Sequence, residues 1–325
     1  MSHALRVSVA IPVYNEELII PELLRRTRSV LDSLDGGPHE IVLVDDGSSD
    51  QTVELLEKAA EEDPRLVVVA LSRNFGHQIA LGAALDHVSG DVTVLMDGDL
   101  QDPPEAIPIL LDWHQRGYDV VYVQRISRKE SWWLRLCYHL FYRLIATLSS
   151  IRLPLDAGDF SLMSRRIVDE IRGMPEHHRY LRGLRTWVGF RQVGVPIERA
   201  ARSVGRTKYS PIKLLKLASD GIFAFSIVPL RAASIIGAMA VILSSLFAVY
   251  SLFDKFLLHG SPRGFTALIF VITFLSGINL FCLGIIGEYM GRVYEETKGR
   301  PHYVIRKLVR ATCKAEDRVL NIPDR

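Results

Sequence analysis

Asp97-Gly98-Asp99 sets two carboxylates at i and i+2 around a glycine, directly after the apolar run Val92–Met96. Where a strand breaks, both acids can turn toward one ligand, and Gly98 permits the break. Hard oxygen donors of this kind suit Mg2+ or Mn2+, ions that commonly bridge carboxylates to phosphate oxygens. Gln101 can add a neutral oxygen to the same set. Alone, an Asp-x-Asp triplet reads more readily as a solvated turn. Its surroundings favour a ligand site: the triplet lies within GDLQDPPE, and a second acidic pair, Asp45-Asp46, also ends an apolar run, Glu40–Val44.

The elements that must carry these acids alternate. Leu5–Ile11 reads as a strand ending at Pro12, and a helical pattern runs from about Glu16 to Leu34. Glu40–Val44 is a strand that stops at Asp45-Asp46-Gly47-Ser48-Ser49-Asp50, a cluster suited to closing a turn and capping a helix over Thr52–Glu62. Leu66–Leu71 is a third strand, Gln78–His87 a third helix and Val92–Met96 a fourth strand. Near-continuous apolar strands alternating with amphipathic helices imply a parallel sheet covered on both faces. Asp45, Asp46, Asp97 and Asp99 then share the C-terminal strand edge, where open α/β sheets bind ligands. There is no Gly-x-Gly-x-x-Gly after the first strand and no Gly-Lys-Ser/Thr anywhere, which speaks against a dinucleotide oxidoreductase and a P-loop hydrolase.

The chain has 325 residues, enough for one soluble domain and a further part, and its formal net charge of +2 gives no reason to expect a nucleic-acid partner. Cys137, Cys282 and Cys313 are too few and too scattered for a disulfide framework or a cysteine-based metal site. Met1–Leu5 leads into a strand-like run instead of a secretory leader. Ala232–Phe253 and Phe265–Gly287 contain no Asp, Glu, Lys or Arg, and each is long enough to cross a bilayer. Lys213, Lys216 and Arg231 precede the first span, and Arg292, Lys298, Arg300, Arg306 and Lys307 follow the second. This bias places both termini in the cytoplasm. The expected organisation is a catalytic domain with juxtamembrane helices over 1–228, a hairpin over 229–290 and a cytoplasmic tail over 291–325. Gly284, Gly287 and Gly291 would let helices approach closely, either within the hairpin or in a homo-oligomer.

Between the sheet and the spans lies an unusual segment. Arg125, Arg128, Arg135 and Arg143 punctuate Trp132, Trp133, Tyr138, Phe141 and Tyr142. Rings and guanidinium groups interleaved on an amphipathic helix suit a bilayer interface, although a core helix with snorkelling arginines has the same pattern. Lys208, in Gly205-Arg206-Thr207-Lys208-Tyr209, belongs to a basic juxtamembrane loop attracted to anionic lipid.

In order, Ile11-Pro12-Val13-Tyr14-Asn15-Glu16-Glu17, Val44–Asp50, Leu71-Ser72-Arg73-Asn74-Phe75-Gly76 and Asp97–Glu105 resemble the family 2 inverting glycosyltransferases of GT-A, Rossmann-like α/β fold. Asp156-Ala157-Gly158-Asp159-Phe160, Arg206–Tyr209 and Gly287-Glu288-Tyr289-Met290-Gly291-Arg292 resemble the polyprenyl-phosphate branch, whose members include bactoprenol glucosyltransferases and dolichol-phosphate mannose synthases. The resemblance covers nearly the whole chain, hairpin included.

It implies a nucleotide-sugar donor lined by Pro12, Tyr14, Asn15, Glu16, Asp45, Asp46, Arg73 and Asp97. Asp45 would accept a base N–H, and Glu16 would lie near the ribose. Asp97, Asp99 and Gln101 would hold the metal, and Arg125, Arg135, His139 and Lys208 the acceptor phosphate. Asp99, Asp156 and Asp159 are the catalytic candidates. The second pKa of a phosphomonoester is about 6, so a polyprenyl-phosphate acceptor is already a nucleophilic dianion at neutral pH. Asp156 and Asp159 then orient the acceptor or stabilise nearby cations; neither needs to remove a proton.

Glucose from UDP-glucose is the first donor the resemblance suggests, with transfer at the cytoplasmic membrane face. Two other readings stand beside it. A processive polysaccharide synthase would carry Gln-x-x-Arg-Trp, whereas Gln192 is followed by Val193-Gly194-Val195. A non-catalytic membrane scaffold would not need Asp45, Asp97, Asp99 and Lys208 intact.

Overall fold

The structure is a computed structural model that describes residues 5–125, 157–176, 179–197, 228–257 and 264–310. The described residues fall into two compact units. The first lies within Met1–Trp132, Leu153–Lys208 and Pro301–Arg325, and the second within Trp133–Arg152 and Tyr209–Arg300.

Three N-terminal strands of the first unit, β1 (Val7–Val13), β2 (Glu40–Asp45) and β3 (Leu66–Leu71), are buried at every position. Such strands need cover on both faces. Helix α1 (Ile20–Asp32) supplies part of it by burying Ile20, Leu23, Leu24, Thr27, Val30 and Leu31, one stripe at helical spacing. Helix α2 spans Thr52–Glu62 and α3 spans His77–His87. Strand β4 (Val92–Leu95) is followed by a 3-10 turn at Pro104–Ala106 and by α4 (Ile107–Gln115). Beyond these come β5 (Val120–Arg125), β6 (Ala157–Ser164), α5 (Arg165–Arg172), α6 (Leu181–Trp187) and β7 (Gln192–Ile197).

The sheet has eight strands in the order β7-β5-β6-β4-β1-β2-β3-β8. Its centre is parallel as expected, β4-β1-β2-β3. The whole sheet is mixed, because β6 runs antiparallel to both β4 and β5. An eighth strand, β8 (Ile305–Arg310), lies within the expected tail and pairs antiparallel with β3. Lys307 reaches Glu57 at 2.8 Å, and the Tyr303 hydroxyl donates to Asp86 at 2.9 Å. Ile305, Lys307 and their neighbours are mostly exposed, so β8 lacks the buried apolar run that marks the central strands.

Strand β1 also continues through Pro12, where the sequence suggests a stop. Pairing with β4 ends at Ala10–Leu95, whereas pairing with β2 runs on to Val13–Asp45. Pro12 lies beyond the β4 ladder, where a missing N–H leaves no carbonyl of that strand without its donor.

The second unit contains α7 (Val228–Leu257) and α8 (Phe265–Thr297). Both contain segments long and apolar enough to cross a membrane. At 1.5 Å per residue each exceeds the roughly 30 Å hydrocarbon core. Leu243, Leu246, Leu280 and Phe281 lie largely exposed along them, and the Cys282 thiol donates to the Ala233 carbonyl at 3.5 Å. A mostly apolar groove of about 600 Å3 between the helices is lined by Leu230, Val241, Leu275 and Ile278, with Ser244 and Asn279 among its few polar side chains.

Candidate active site

The strand register of the first unit assembles the site. Leu95 on β4 stands opposite Ser161 on β6. Continuing that antiparallel register by two residues brings Asp97 level with Asp159, so that the two acids face each other where the β4–β6 pairing ends. The N-terminal turn of α3 adds His77. Its Nε2 lies 3.4 Å from Asp97 Oδ1 and 3.8 Å from Asp159 Oδ2. One ligand atom from each of these three residues can be chosen so that all lie within 4.8 Å of one another.

Two arginines of α6 complete the group. Arg182 Nε lies 2.9 Å from Asp159 Oδ1, and its Nη2 lies 3.4 Å from Oδ2. Arg185 sits one turn further along and is buried, with its guanidinium over the Tyr122 ring at 5.1 Å from the centroid. The start of α6 is fixed to α3 where the Leu181 N–H donates to Gln78 Oε1 at 3.0 Å.

These surroundings drive the two acids apart. Burial raises the Asp97 carboxyl to about 6; His77 opposes the rise, while Asp159, Asp102 and Asp99 add to it. Burial pushes Asp159 in the same direction, yet contact with His77 and the charges of Arg182 and Arg185 hold it well below the ordinary carboxylate range. Burial disfavours charge on His77, but Asp159 and Asp97 outweigh it and raise its pKa above the usual imidazole value. Burial lowers Arg185 to about 10.

Gly98 has a reason beyond a strand break. A Cβ there would meet Val13 Cγ1 at 2.8 Å and the Pro12 carbonyl oxygen at 3.0 Å, so only glycine lets this loop cross the end of β1 without a shift. The next residues are held tightly: the Gln101 N–H donates to Asp99 Oδ1 at 3.1 Å, and buried Leu100 has a φ of 58°. Left-handed backbone at leucine is strained, and such strain gathers at functional loops.

The other acidic pair serves two neighbouring loops. Asp45 is fully buried and accepts from the backbone N–H groups of Gly47 and Ser48, each at 3.1 Å. Asp46 accepts from Phe75 N–H at 2.7 Å and Gly76 N–H at 3.0 Å, tying the end of β2 to the loop before α3. Burial raises both carboxyl groups, against the pull of these hydrogen bonds. Gly47 has a φ of 72°, and a Cβ there would lie 2.6 Å from the Asn74 backbone nitrogen. Asn15 also has a positive φ, 53°; its N–H donates to Ser48 Oγ and its Oδ1 accepts from Ser49 N–H.

Of the expected donor-site residues, Pro12 is buried at the end of β1, whereas Tyr14, Asn15 and Arg73 are exposed and Glu16 is half-buried. Arg73 lies over the Phe75 ring at 4.1 Å. All of them come from the ends of β1, β2 and β3 and the loops that follow, at one sheet edge. Arg125 ends β5, and its side chain is outside the described residues, as are Arg135, His139, Asp156 and Lys208.

The donor set at the end of β4 fits a divalent cation. Asp97 and Asp99 offer hard oxygens, Asp102 adds nearby negative charge, and burial has already made ionisation of Asp97 costly. A cation at this point would relieve that cost. Sequence pattern does not single out His77, Arg182 and Arg185. Their one local signal is Arg182-Gly183-Leu184-Arg185, two arginines at i and i+3 in a short, otherwise apolar turn.

Comparison with known proteins follows the same lines. Residues 8–172 match the family described as glycosyl transferase family 2. The uncharacterized glycosyltransferase YkcC of Bacillus subtilis is 41% identical over 308 residues, covering 94% of this chain and 95% of that protein. The bactoprenol glucosyl transferase of Shigella phage SfII is 38% identical over 304 residues, covering 93% and 98%. The undecaprenyl-phosphate 4-deoxy-4-formamido-L-arabinose transferase of Edwardsiella ictaluri is 36% identical over 318 residues, covering 96% of each. With its GT-A-like mixed α/β sheet, the chain belongs to glycosyltransferase family 2.

Proposed function

We propose that this glycosyltransferase moves a hexose, in the first instance glucose from UDP-glucose, onto the phosphate of a polyprenol, with inversion at the anomeric carbon. The observation that carries the reading is the convergence of Asp97 and Asp159 at one sheet edge in a chain that also has two membrane-length helices. The relatives support it: one is named for bactoprenol and glucose, another for undecaprenyl phosphate and a formamido-arabinose. Both names pair a sugar with a polyprenyl carrier, so the carrier is the steadier part of the assignment and the sugar the more variable part.

In this reading the ends of β1, β2 and β3 and their loops bind the nucleotide through Pro12, Tyr14, Asn15, Glu16, Asp45, Asp46 and Arg73. Asp97, Asp99 and Gln101 would hold Mg2+ or Mn2+, which when bound neutralises charge on the departing diphosphate. Asp159 is a poor proton acceptor, because His77, Arg182 and Arg185 favour its anion. It acts as a fixed negative charge that orients neighbouring groups, and the acceptor dianion supplies its own nucleophilicity. Asp156 borders it in sequence and shares the acceptor side. Arg125, Arg135, His139 and Lys208 are assigned to the acceptor phosphate.

The organisation follows from the acceptor. A catalytic domain over 1–228, a hairpin over 229–290 and a tail over 291–325 would keep both termini cytoplasmic and the site within reach of the headgroups. Gly284, Gly287 and Gly291 have open space where a Cβ would stand, which leaves room for a second copy of the chain to approach closely.

The test is transfer of labelled sugar from UDP-glucose, with other UDP- and GDP-sugars in parallel, to polyprenyl phosphate in membranes containing the protein. Label in the lipid fraction that disappears with chelator is expected. No lipid label from any donor would refute the reading, and transfer unaffected by chelator would refute the metal assignment.

A further inference from the structure

His77 opens α3, and the backbone on both sides of it is anchored. Just before it, the Phe75 and Gly76 N–H groups donate to Asp46 at 2.7 and 3.0 Å. Just after it, the Gln78 side chain accepts from Leu181 N–H at 3.0 Å. The imidazole between these anchors is exposed. An exposed ring adds little to a core, so packing does not account for a histidine here. The two acids facing it do.

Nε2 lies 3.4 Å from Asp97 Oδ1 and 3.8 Å from Asp159 Oδ2. Both separations exceed the length of a well-formed N–H···O bond, about 2.7–3.2 Å. They match a different geometry. Around an octahedral cation with bonds of about 2.1 Å, neighbouring ligand atoms stand about 3.0 Å apart and opposite ones about 4.2 Å. The two separations fall between these limits. One ligand atom from each of the three residues can be chosen with every pair within 4.8 Å, so the third edge needs at most a small closing movement. Arg182 leaves room for this. Its closer contact, 2.9 Å, is to Asp159 Oδ1, and Oδ2 is the oxygen 3.8 Å from His77.

We propose that His77 Nε2 is a ligand of the divalent cation assigned to the end of β4, beside Asp97 and with Asp159 Oδ2 closing the set, and that this nitrogen sets a preference for Mn2+ over Mg2+. The inference rests on the cation site read above and deepens it by choosing between the two ions. Mg2+ takes oxygen ligands and holds its waters, whereas transition-metal ions accept imidazole. Binding displaces any proton from Nε2.

The test uses the full chain with Mn2+ alone and no nucleotide sugar. Pulsed magnetic resonance of bound Mn2+ should show coupling to an imidazole nitrogen that changes when the histidines carry 15N. The chain has ten histidines, so loss of that coupling in His77→Asn assigns it. His77→Asn is expected to bind Mn2+ about tenfold or more weakly, the least that disturbing a ligand costs. Its Mg2+ affinity, measured by competition, should stay within about twofold. His77→Asp, which offers oxygen in place of nitrogen, should shift the preference toward Mg2+. Without metal, both variants should unfold near the parent temperature, because the ring is exposed. Absence of nitrogen coupling in the parent would overturn the proposal, as would coupling that survives His77→Asn or an unchanged ratio of Mn2+ to Mg2+ affinity. Asp97→Asn separates this inference from the reading beneath it. If that variant loses Mn2+ but the parent shows no nitrogen coupling, the cation site stands without His77. If Mn2+ binding is indifferent to Asp97→Asn, the cation site itself is refuted.

Discussion

Arg182 and Asp159 form an ion pair between α6 and β6: Nε lies 2.9 Å from Oδ1, and Nη2 donates to Oδ2 at 3.4 Å. The guanidinium lies close to both carboxylate oxygens, a spread of charge that the point charge of a lysine does not reproduce. Arg182→Gln is expected to lower kcat/KM about a hundredfold, the scale of a misplaced catalytic group. Arg182→Lys should fall between the two. Steady-state transfer rates on folded, membrane-inserted variants check this order.

Cation affinity should depend on pH through Asp97. Its carboxyl is raised to about 6, so below that pH a proton occupies the group a cation needs. Mn2+ affinity is expected to be level above pH 6 and to fall about tenfold per unit below it. Titration followed by Mn2+ magnetic resonance between pH 5 and 7.5 would reveal the break. The sign for folding is opposite: a raised carboxyl stabilises the fold while protonated, and that contribution is lost as pH rises through about 6. In chelator at pH 7, Asp97→Asn should therefore unfold at or above the parent temperature.

Gly98→Ala and Gly47→Ala test the loop crossings. The first puts a methyl group 2.8 Å from Val13 Cγ1, and the second drives one into the Arg73–Asn74 backbone at a positive φ. Gly98→Ala is expected to cost about 1–3 kcal/mol. Gly47→Ala should cost more, because backbone yields less readily than a side-chain methyl. Denaturant unfolding of both variants gives the comparison.

Glu40 anchors the opposite end of the sheet. Its carboxylate accepts from Ser8 Oγ at 2.5 Å and Ser89 Oγ at 2.8 Å, and it meets Arg6 Nη2 at 3.2 Å. Burial acts to raise its pKa, but the bonds to Ser8 and Ser89 and the Arg6 charge win and lower it. The resulting stability is present above the ordinary carboxyl value of 4.5 and is lost as pH falls through the depressed value. Glu40→Ala should cost about 3 kcal/mol at pH 7, as when one partner of a buried pair is removed. The gap between variant and parent melting temperatures should narrow at low pH.

Local pattern carries much of the fold. Thr52–Glu62 and Leu66–Leu71 have the limits that their periodicity suggests, because each is bounded by turn chemistry its own residues supply. The apolar run before Asp97 marks that acid as a strand-end residue in the same way. What pattern does not reveal is long-range register. Asp159 meets Asp97 only because β6 returns antiparallel beside β4, and no residue near either acid encodes that direction. His77, Arg182 and Arg185 are hidden behind the same step. Singly, a histidine after a glycine and two arginines in a short turn look like ordinary helix-end residues. Burial and the shared neighbour Asp159 distinguish them.

Strand β8 has a consequence for how the chain is made. It pairs with β3, yet roughly 230 residues separate them, including both membrane-length helices. At ribosomal rates of about 5–20 residues per second, the β3 edge waits on the order of 10–50 seconds for its partner to emerge. During biogenesis a newly made catalytic sheet therefore passes through a stage with an open apolar edge. The last strand seals it only after the hairpin has been synthesised, which makes completion of the enzyme a late event.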